Sequence, residues 1–201
     1  MNTHQAQLSI LGALITKHTQ HNGLHNTLID DLKLFRESCP HGRVSYMYEP
    51  SLVIAAQGTK DIYLDGTRYC YSAGNFLVLF IPMALECALT NVSEEKPLLG
   101  LGIRLDRHRL ANLLLKMDAV AQTPQKPVVS DTSGIFSAPL NQALIDASIR
   151  LLKSLNDPVE ATVLAESITD EIYYRLLRDE QGGTLRVLLR QQGQIQQISK
   201  A

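Results

Sequence analysis

The sequence predicts an α+β fold in which an antiparallel β-barrel or sandwich is followed by helices. Between residues 32 and 105, short β-branched and aromatic runs are separated by turn residues, with a spacing of about ten residues. No helical periodicity interrupts these runs, which argues against alternating strand–helix units and a parallel sheet. After Leu105 the apolar residues recur at helical spacing.

The strand-rich region is divided into eight predicted strands. They cover residues 32–37, 44–48, 51–57, 60–64, 67–71, 75–81, 84–91 and 97–105. The clearest turn is Asp65-Gly66, because a two-residue loop of this type between alternating runs is typical of a β-hairpin. Residues 122–139 contain three prolines and predict a connector with a short extended segment at Val128 and Val129.

Helices are predicted on both sides of this region. The apolar spacing favours helices over residues 5–19, 106–117 and 138–155, with Asp106 as the N-cap of the second. Asp157, Pro158 and Glu160 form a capping sequence that opens a further helix to about residue 178. The helices on either side of this cap are expected to form an αα-hairpin. Residues 184–201 are again helical in character, with a break expected at Gly193.

Composition narrows the classes of function. The chain has 201 residues, of which 45% are hydrophobic and 19% charged, so it can bury a core of one domain or slightly more. Lys and Arg together number 19, against 20 Asp and Glu. This stretch lacks the basic excess of a nucleic-acid-binding domain, so we expect that it does not bind DNA by itself.

The sequence also indicates the cellular compartment of the protein. No apolar run reaches the length of about 18 residues that a membrane-spanning helix needs, and the N-terminus lacks the basic region of a signal peptide. The three cysteines, Cys39, Cys70 and Cys87, are an odd number without metal-ligand spacing. We therefore expect reduced thiols in a cytoplasmic protein with no membrane partner.

The residues that usually carry catalysis are sparse in the strands. Of the six histidines, only His41 falls between residues 32 and 105, whereas a metal site inside a barrel needs imidazoles on neighbouring strands. His18, His21 and His25 surround a helix end, where a solvated surface is the favoured interpretation. No Gly-x-Ser-x-Gly motif and no phosphate-binding glycine loop occurs. We expect no catalytic residues, no metal and no cofactor.

Several strand residues are candidates for a binding pocket. Ala55 and Ala56 are small enough to leave room inside a barrel. Five polar side chains could line that space and orient a ligand, namely Tyr46, Tyr48, Gln57, Tyr69 and Glu86. Each of them could equally lie on a solvated outer face.

An ordered set of motifs goes beyond composition. The motifs are Tyr48-Glu49-Pro50-Ser51, Gln57-Gly58-Thr59-Lys60, Leu64-Asp65-Gly66, Ala73-Gly74-Asn75, Leu105-Asp106 and Glu171-Ile172-Tyr173-Tyr174. Together they resemble the N-terminal domain of AraC-type transcriptional regulators over roughly residues 25 to 201.

The resemblance implies a cupin-like antiparallel β-barrel (a double-stranded β-helix) followed by an α-helical dimerisation arm. The corresponding division is an N-terminal arm at 1–23, a barrel at 24–105 and a helical dimerisation segment at 106–183. Residues 184–201 would be a linker toward a helix-turn-helix DNA-binding domain that is absent from this chain.

The resemblance also implies pocket positions. Gln57 matches the ligand-contacting residue before the turn glycine in sugar-binding members, and Glu86 and Cys87 match polar positions on a later strand. These positions carry neither arginine nor histidine, and the chain has no tryptophan to stack on a sugar. A smaller or more apolar effector, or no effector, therefore stays open.

The expected function is that of an effector-sensing and dimerisation domain of a bacterial regulator. Its expected partners are an unidentified small-molecule effector and a second copy bound through the C-terminal helices, with DNA reached only through the absent domain. The alternatives are a metal-free cupin that binds small molecules, a cupin-type enzyme, and an interaction domain with a filled barrel.

Overall fold

A computed structural model describes residues 3–120, 134–179 and 182–198 of the chain. Its strands are β1 (Gly23–Asn26), β2 (Leu32–Glu37), β3 (His41–Tyr48), β4 (Ser51–Gln57), β5 (Thr59–Leu64), β6 (Thr67–Ser72), β7 (Asn75–Leu79), β8 (Met83–Leu89), β9 (Leu98–Arg104) and β10 (Ile135–Pro139). Its helices are α1 (Thr3–His18), α2 (Arg107–Val120), α3 (Gln142–Ser154), α4 (Pro158–Arg178) and α5 (Gly182–Ile198).

The strands form two antiparallel sheets. One has six strands in the order β1-β2-β9-β4-β7-β10, and the other has four in the order β3-β8-β5-β6. The sheets share an apolar core to which Val53 and Leu77 contribute from the first and Ile62, Leu85 and Cys87 from the second. This arrangement confirms the predicted antiparallel cupin-like barrel with helices after it.

The central strands of the six-stranded sheet are buried on both faces. Val53 and Ala55 face the barrel core, whereas Leu52, Ile54 and Ala56 belong to a second core that includes the apolar side of α1. Two buried faces explain why β4 is a continuous apolar run instead of an alternating one.

Small residues bring α1 close to this sheet. A Cβ atom added to Gly12 would lie 4.0 Å from the Cβ of Ala56. The expectation that Ala56 leaves room inside the barrel is therefore wrong. Its small side chain accommodates the helix on the other face of the strand.

The four-stranded sheet has one buried and one exposed face. Along β8, Met83, Leu85 and Cys87 are buried, while the intervening Ala84 and Glu86 are exposed. This alternation is typical of an antiparallel sheet that faces a core on one side and solvent on the other.

The Asp65-Gly66 hairpin is confirmed. Leu64 pairs with Thr67, so these two residues alone connect β5 to β6. Their φ angles are 48° for Asp65 and 81° for Gly66. Two successive positive φ values are the requirement of a type I′ turn, which an Asp-Gly sequence meets at low cost.

A side-chain cap and an ion pair stabilise the predicted αα-hairpin of α3 and α4. Asp157 precedes α4 and accepts a hydrogen bond from the backbone N–H of Val159, with Pro158 in the first turn. An ion pair between Arg150 of α3 and Glu171 of α4 joins the helices. In the described ranges, no helix has the length and apolar character that crossing a membrane requires.

Two edge strands were not expected from the sequence. β10 pairs with β7, so Ala138 and Pro139 belong to a strand and α3 begins only at Gln142 instead of 138. β1 pairs with β2, although its four residues, Gly23–Asn26, carry no strand pattern. β10 is short and pairs with a strand that is distant in sequence. β1 is also short and is joined to β2 by a polar turn.

The C-terminal helix differs in one respect from the prediction. α5 continues through Gly193 without the expected break. The extended segment predicted at Val128 and Val129 lies outside the described residues.

Candidate functional site

A cavity of about 930 Å³ lies between the two sheets. Its deep wall is mainly apolar and comprises Phe35, Val53, Ile62, Tyr71 and Leu77. Leu24 and Tyr46, on the edge strands β1 and β3, line its outer part and are 64% and 49% exposed. The cavity therefore opens to solvent along this side of the barrel, and its volume suits a small organic molecule.

Two glycines of β9 shape the cavity in different ways. A Cβ atom at Gly100 would lie 2.2 Å from Cζ of Phe35, so the missing side chain lets the Phe35 ring lie against the sheet. A Cβ atom at Gly102 would meet nothing within 4 Å, and Gly102 lines the cavity. Gly102 thus faces space that an ordinary side chain would occupy.

An ion pair with a buried lysine lies in this largely apolar space. The Lys60 side chain is 8% exposed, and its Nζ donates a 2.8 Å hydrogen bond to Oε1 of Glu37. Oε2 of Glu37 is 3.5 Å from Nε2 of His41. Among the described residues, Lys60 is the only charged residue that is buried. Such a group is a specific polar feature against which a ligand can be oriented.

Two phenols adjoin the pair. Burial raises the pKa of Tyr48, and the neighbouring Tyr71 and Cys87 add to the effect. Burial likewise raises the pKa of Tyr71, and the charge of Glu37 adds to it. Both hydroxyl groups therefore keep their protons at physiological pH and can donate hydrogen bonds.

Three of the six predicted pocket residues lie at or beside the cavity. Tyr46 and Tyr48 line it, with ring centroids 6.5 Å apart in an edge-to-face arrangement. Cys87 is fully buried in the barrel core next to Tyr48.

The other three lie away from the cavity lining. The β4–β9 pairing shifts register at Gln57, and the Gln57 amide donates a 2.8 Å hydrogen bond to the carbonyl of Pro97. Glu86 points outward because of the alternation along β8, with Oε2 3.7 Å from Arg43. Tyr69 packs half-buried against the barrel core without lining the cavity.

The central polar residues of the cavity were missed at the sequence level. Lys60 lies within the recognised Gln57-Gly58-Thr59-Lys60 motif and shares its strand face with Ile62. A lysine on an apolar face was a usable signal. Glu37 carried none, because its approach to Lys60 depends on how separate strands pack, and His41 contacts Glu37 and not Lys60.

The end of β9 connects the cavity to the helices. Arg104 lines the cavity and donates through Nε to Oδ1 of Asp31 at 2.7 Å. The backbone carbonyl of Arg104 accepts a 2.7 Å hydrogen bond from the Tyr173 hydroxyl of α4, which itself accepts from the N–H of Asp106 at 3.0 Å. A cleft of about 320 Å³ beside Arg104 and Asp31 also contacts Leu189 of α5.

The described part of the chain contains no cluster of three or more histidine, cysteine or carboxylate side chains that could hold a metal. The cavity offers an apolar wall, two neutral phenols and two ion pairs, Lys60–Glu37 and Arg104–Asp31.

Two solved structures with a similar fold are of ToxT from Vibrio cholerae. Apo ToxT K231A from Vibrio cholerae strain SCE256 has a TM-score of 0.52 at 8% identity, covering 80% of this chain and 58% of that one. ToxT from the same strain with a bound unsaturated fatty acid has a TM-score of 0.51 at 6% identity, covering 75% and 54%. The chain thus spans a little over half the length of these proteins, and the likeness concerns the fold.

Sequence comparison defines the family. A search of curated proteins gave no significant match. The family model described as "AraC-type transcriptional regulator N-terminus" matches residues 28–184, which include the barrel from before β2 and the helices through α4. This chain therefore belongs to the AraC-type transcriptional regulator N-terminal family and is a regulatory domain of that kind.

Proposed function

We propose that this domain senses a small-molecule effector that binds in the cavity between the two sheets. The observation that carries the proposal is an open space of about 930 Å³ with an apolar wall and an ion pair whose lysine is buried. A filled barrel, the interaction-domain alternative, would have no such space. The fatty acid bound to the similarly folded ToxT supports a small molecule as the ligand class.

Effector binding is coupled to the helices through the end of β9. Arg104 borders both the cavity and the cleft beside α5, and its carbonyl is held by Tyr173 of α4. A ligand that contacts Arg104 or Asp31 would favour one arrangement of these helices over another. In a longer protein, α5 would pass this preference to a DNA-binding domain.

The domain forms a homodimer through the first half of α4. Val159 and Val163 are one helical turn apart and are 68% and 64% exposed, and Leu164 beside them is also exposed. α3 is less suited to this role, because its apolar residues are buried in the helical core. A second copy that covers the α4 stripe would bury these side chains in an isologous interface.

The domain acts by binding in the cytoplasm and catalyses no reaction. Its cavity offers hydrogen bonds and apolar contacts, and its family is regulatory. Elemental analysis of the purified protein distinguishes this role from that of a cupin-type enzyme. A stoichiometric, histidine-bound transition metal would favour the enzyme.

A cavity-filling substitution tests the effector site. We expect Gly102→Leu to abolish the rise in Tm that a bound compound produces in a thermal-shift screen of aldehydes, acids and sugars. The leucine would occupy the space that Gly102 leaves empty. Titration calorimetry on each hit measures the loss of affinity directly.

Gly42→Leu is the matched control. Gly42 also has open space around it, but it lies on an exposed stretch of β3 outside the cavity lining. The control should bind like the unmodified protein. Equal binding by both variants, or a screen without any hit, would contradict an effector site in this cavity.

A further inference from the structure

The buried charge inside the cavity is already neutralised by its neighbour. Lys60 is shielded from solvent, and Glu37 compensates it at 2.8 Å. His41 approaches the second carboxylate oxygen of Glu37 at 3.5 Å. The ammonium is therefore not an unpaired cation awaiting an anionic ligand.

The remaining charges along the cavity do not change this balance. Its lining contains four acidic residues, Asp30, Asp31, Glu37 and Glu49, and three basic residues, Lys33, Lys60 and Arg104. Arg104 is held by Asp31, and Lys33 is exposed. Among the described residues that line the cavity, no buried cation is left for a ligand anion.

An ionic ligand would disturb a pair whose lysine is desolvated. A carboxylate that reached Lys60 would either place a second negative charge beside Glu37 or displace Glu37 from the ammonium and leave it only His41. An ammonium that reached Glu37 would either place a second positive charge beside Lys60 or leave the buried Lys60 without its carboxylate. Like charges held close together and a buried charge without its partner both carry a free-energy penalty.

A neutral polar group meets no such penalty. An ammonium has three N–H donors, and a carboxylate has several acceptor sites, so the pair can donate to and accept from a hydroxyl, carbonyl or amide while it stays intact. The protonated hydroxyls of Tyr48 and Tyr71 add neutral donors nearby. Phe35, Val53 and Leu77 favour an apolar body on the same molecule.

We propose that the effector is electrically neutral, with an apolar body and at least one group that hydrogen-bonds to the Lys60–Glu37 pair. The closed pair selects against both carboxylates and amines. This inference rests on the proposed function, because it assigns the ligand class of that same cavity.

Three compounds with one alkyl chain separate the charge classes. Decanol, decanoate and decylammonium are titrated into the protein at neutral pH, with calorimetry or ligand-detected NMR as the readout. Decanol is kept below its solubility limit and the two ions below their micellar concentrations. We expect decanol to bind about tenfold or more tightly than either ion, a difference that corresponds to the partial loss of one compensated charge.

Two substitutions should reverse the preference. Glu37→Gln leaves the charge of Lys60 uncompensated. The affinity for decanoate should therefore rise about tenfold or more relative to the affinity for decanol. Lys60→Met leaves Glu37 uncompensated and should give decylammonium the corresponding gain. Glu49→Gln, which removes an exposed acid from the rim, should leave the order unchanged. Thermal unfolding checks that each variant is folded, and the comparison in the unmodified protein stands without them.

The outcomes separate this inference from the proposed function. If decanoate or decylammonium binds the unmodified protein as tightly as decanol, and Gly102→Leu abolishes that binding, the cavity is an effector site but its selectivity is not for neutral ligands. If all three fail to bind, the charge of the tightest ligand from the broader screen decides whether the cavity prefers neutral molecules. A screen in which no compound binds would overturn both proposals.

Discussion

His18 illustrates how one half-buried side chain makes the stability of this fold depend on pH. It ends α1, and its Nε2 is buried with no hydrogen-bond partner among the described residues. Burial lowers the pKa of the imidazole below 6.5, and the adjacent Lys17 lowers it further. The unfolded chain therefore takes up this proton at a higher pH than the folded protein does.

We expect His18 to destabilise the protein as pH falls below 6.5. Above that value both states are neutral at His18, and its stability contribution is complete. Below it the unfolded state binds the proton first, so the free energy of unfolding falls until the folded pKa is passed. Urea denaturation from neutral to mildly acidic pH measures this slope, which His18→Gln should reduce.

His21→Gln is the control for this effect, because His21 is exposed in the turn that follows α1. It should leave the pH slope unchanged. An identical slope for the unmodified protein and His18→Gln would show that His18 is not the group responsible.

At the scale of secondary-structure elements, Tyr173 is the joint between α4 and the barrel, because its hydroxyl hydrogen-bonds to the backbone at the end of β9. It is a fully buried tyrosine whose hydroxyl donates to the Arg104 carbonyl and accepts from the Asp106 N–H. Burial also raises the pKa of Tyr173 to about 12, so the hydroxyl stays protonated. One side chain thus serves two backbone groups at the transition from β9 to α2.

We expect Tyr173→Phe to lower the free energy of unfolding by about 1–3 kcal/mol, because it leaves these two backbone groups without their partner. Tyr174→Phe is the matched control, since the Tyr174 hydroxyl accepts a long hydrogen bond of 3.5 Å from the exposed Arg178. Urea unfolding of both variants provides the comparison. Equal destabilisation by the two would argue against the joint. Once an effector is identified, Tyr173→Phe should also weaken the effect of that effector on the arrangement of the helices.

At the scale of the whole molecule, the proposed homodimer can be tested. The proposed interface uses the exposed stripe of α4 around Val163. We expect Val163→Asp to weaken dimerisation by about tenfold or more, because a charge at the centre of an apolar interface is poorly compensated. Sedimentation velocity at micromolar concentrations measures the change.

Leu28→Asp is the control for assembly. Leu28 is 61% exposed, but it lies in the loop between β1 and β2 and not on the helices that pack with α4. It should leave the dimer intact. A strictly monomeric unmodified protein, or equal effects of the two substitutions, would contradict an α4 interface.

The predictable part of the fold followed from local patterns. Short β-branched and aromatic runs between turn residues located β2 to β9. Asp65-Gly66 and Asp157-Pro158 defined a hairpin and a helix start, because turn geometry and capping depend on a few adjacent residues. β1 and β10 escaped prediction, since a short edge strand takes its structure from the partner to which it is bonded.

The sequence by itself thus determined an antiparallel barrel with helices, a charge balance unsuited to DNA contact and the motifs of a regulatory domain. Only the tertiary structure decided which side chains meet inside the barrel. It brought Tyr46 and Tyr48 to the cavity and directed Glu86 and Gln57 elsewhere. It also placed Glu37 beside Lys60. The physical reason is that a binding site here is a property of strand packing: inward direction, bulges and cross-sheet distances are set by residues far apart in the chain.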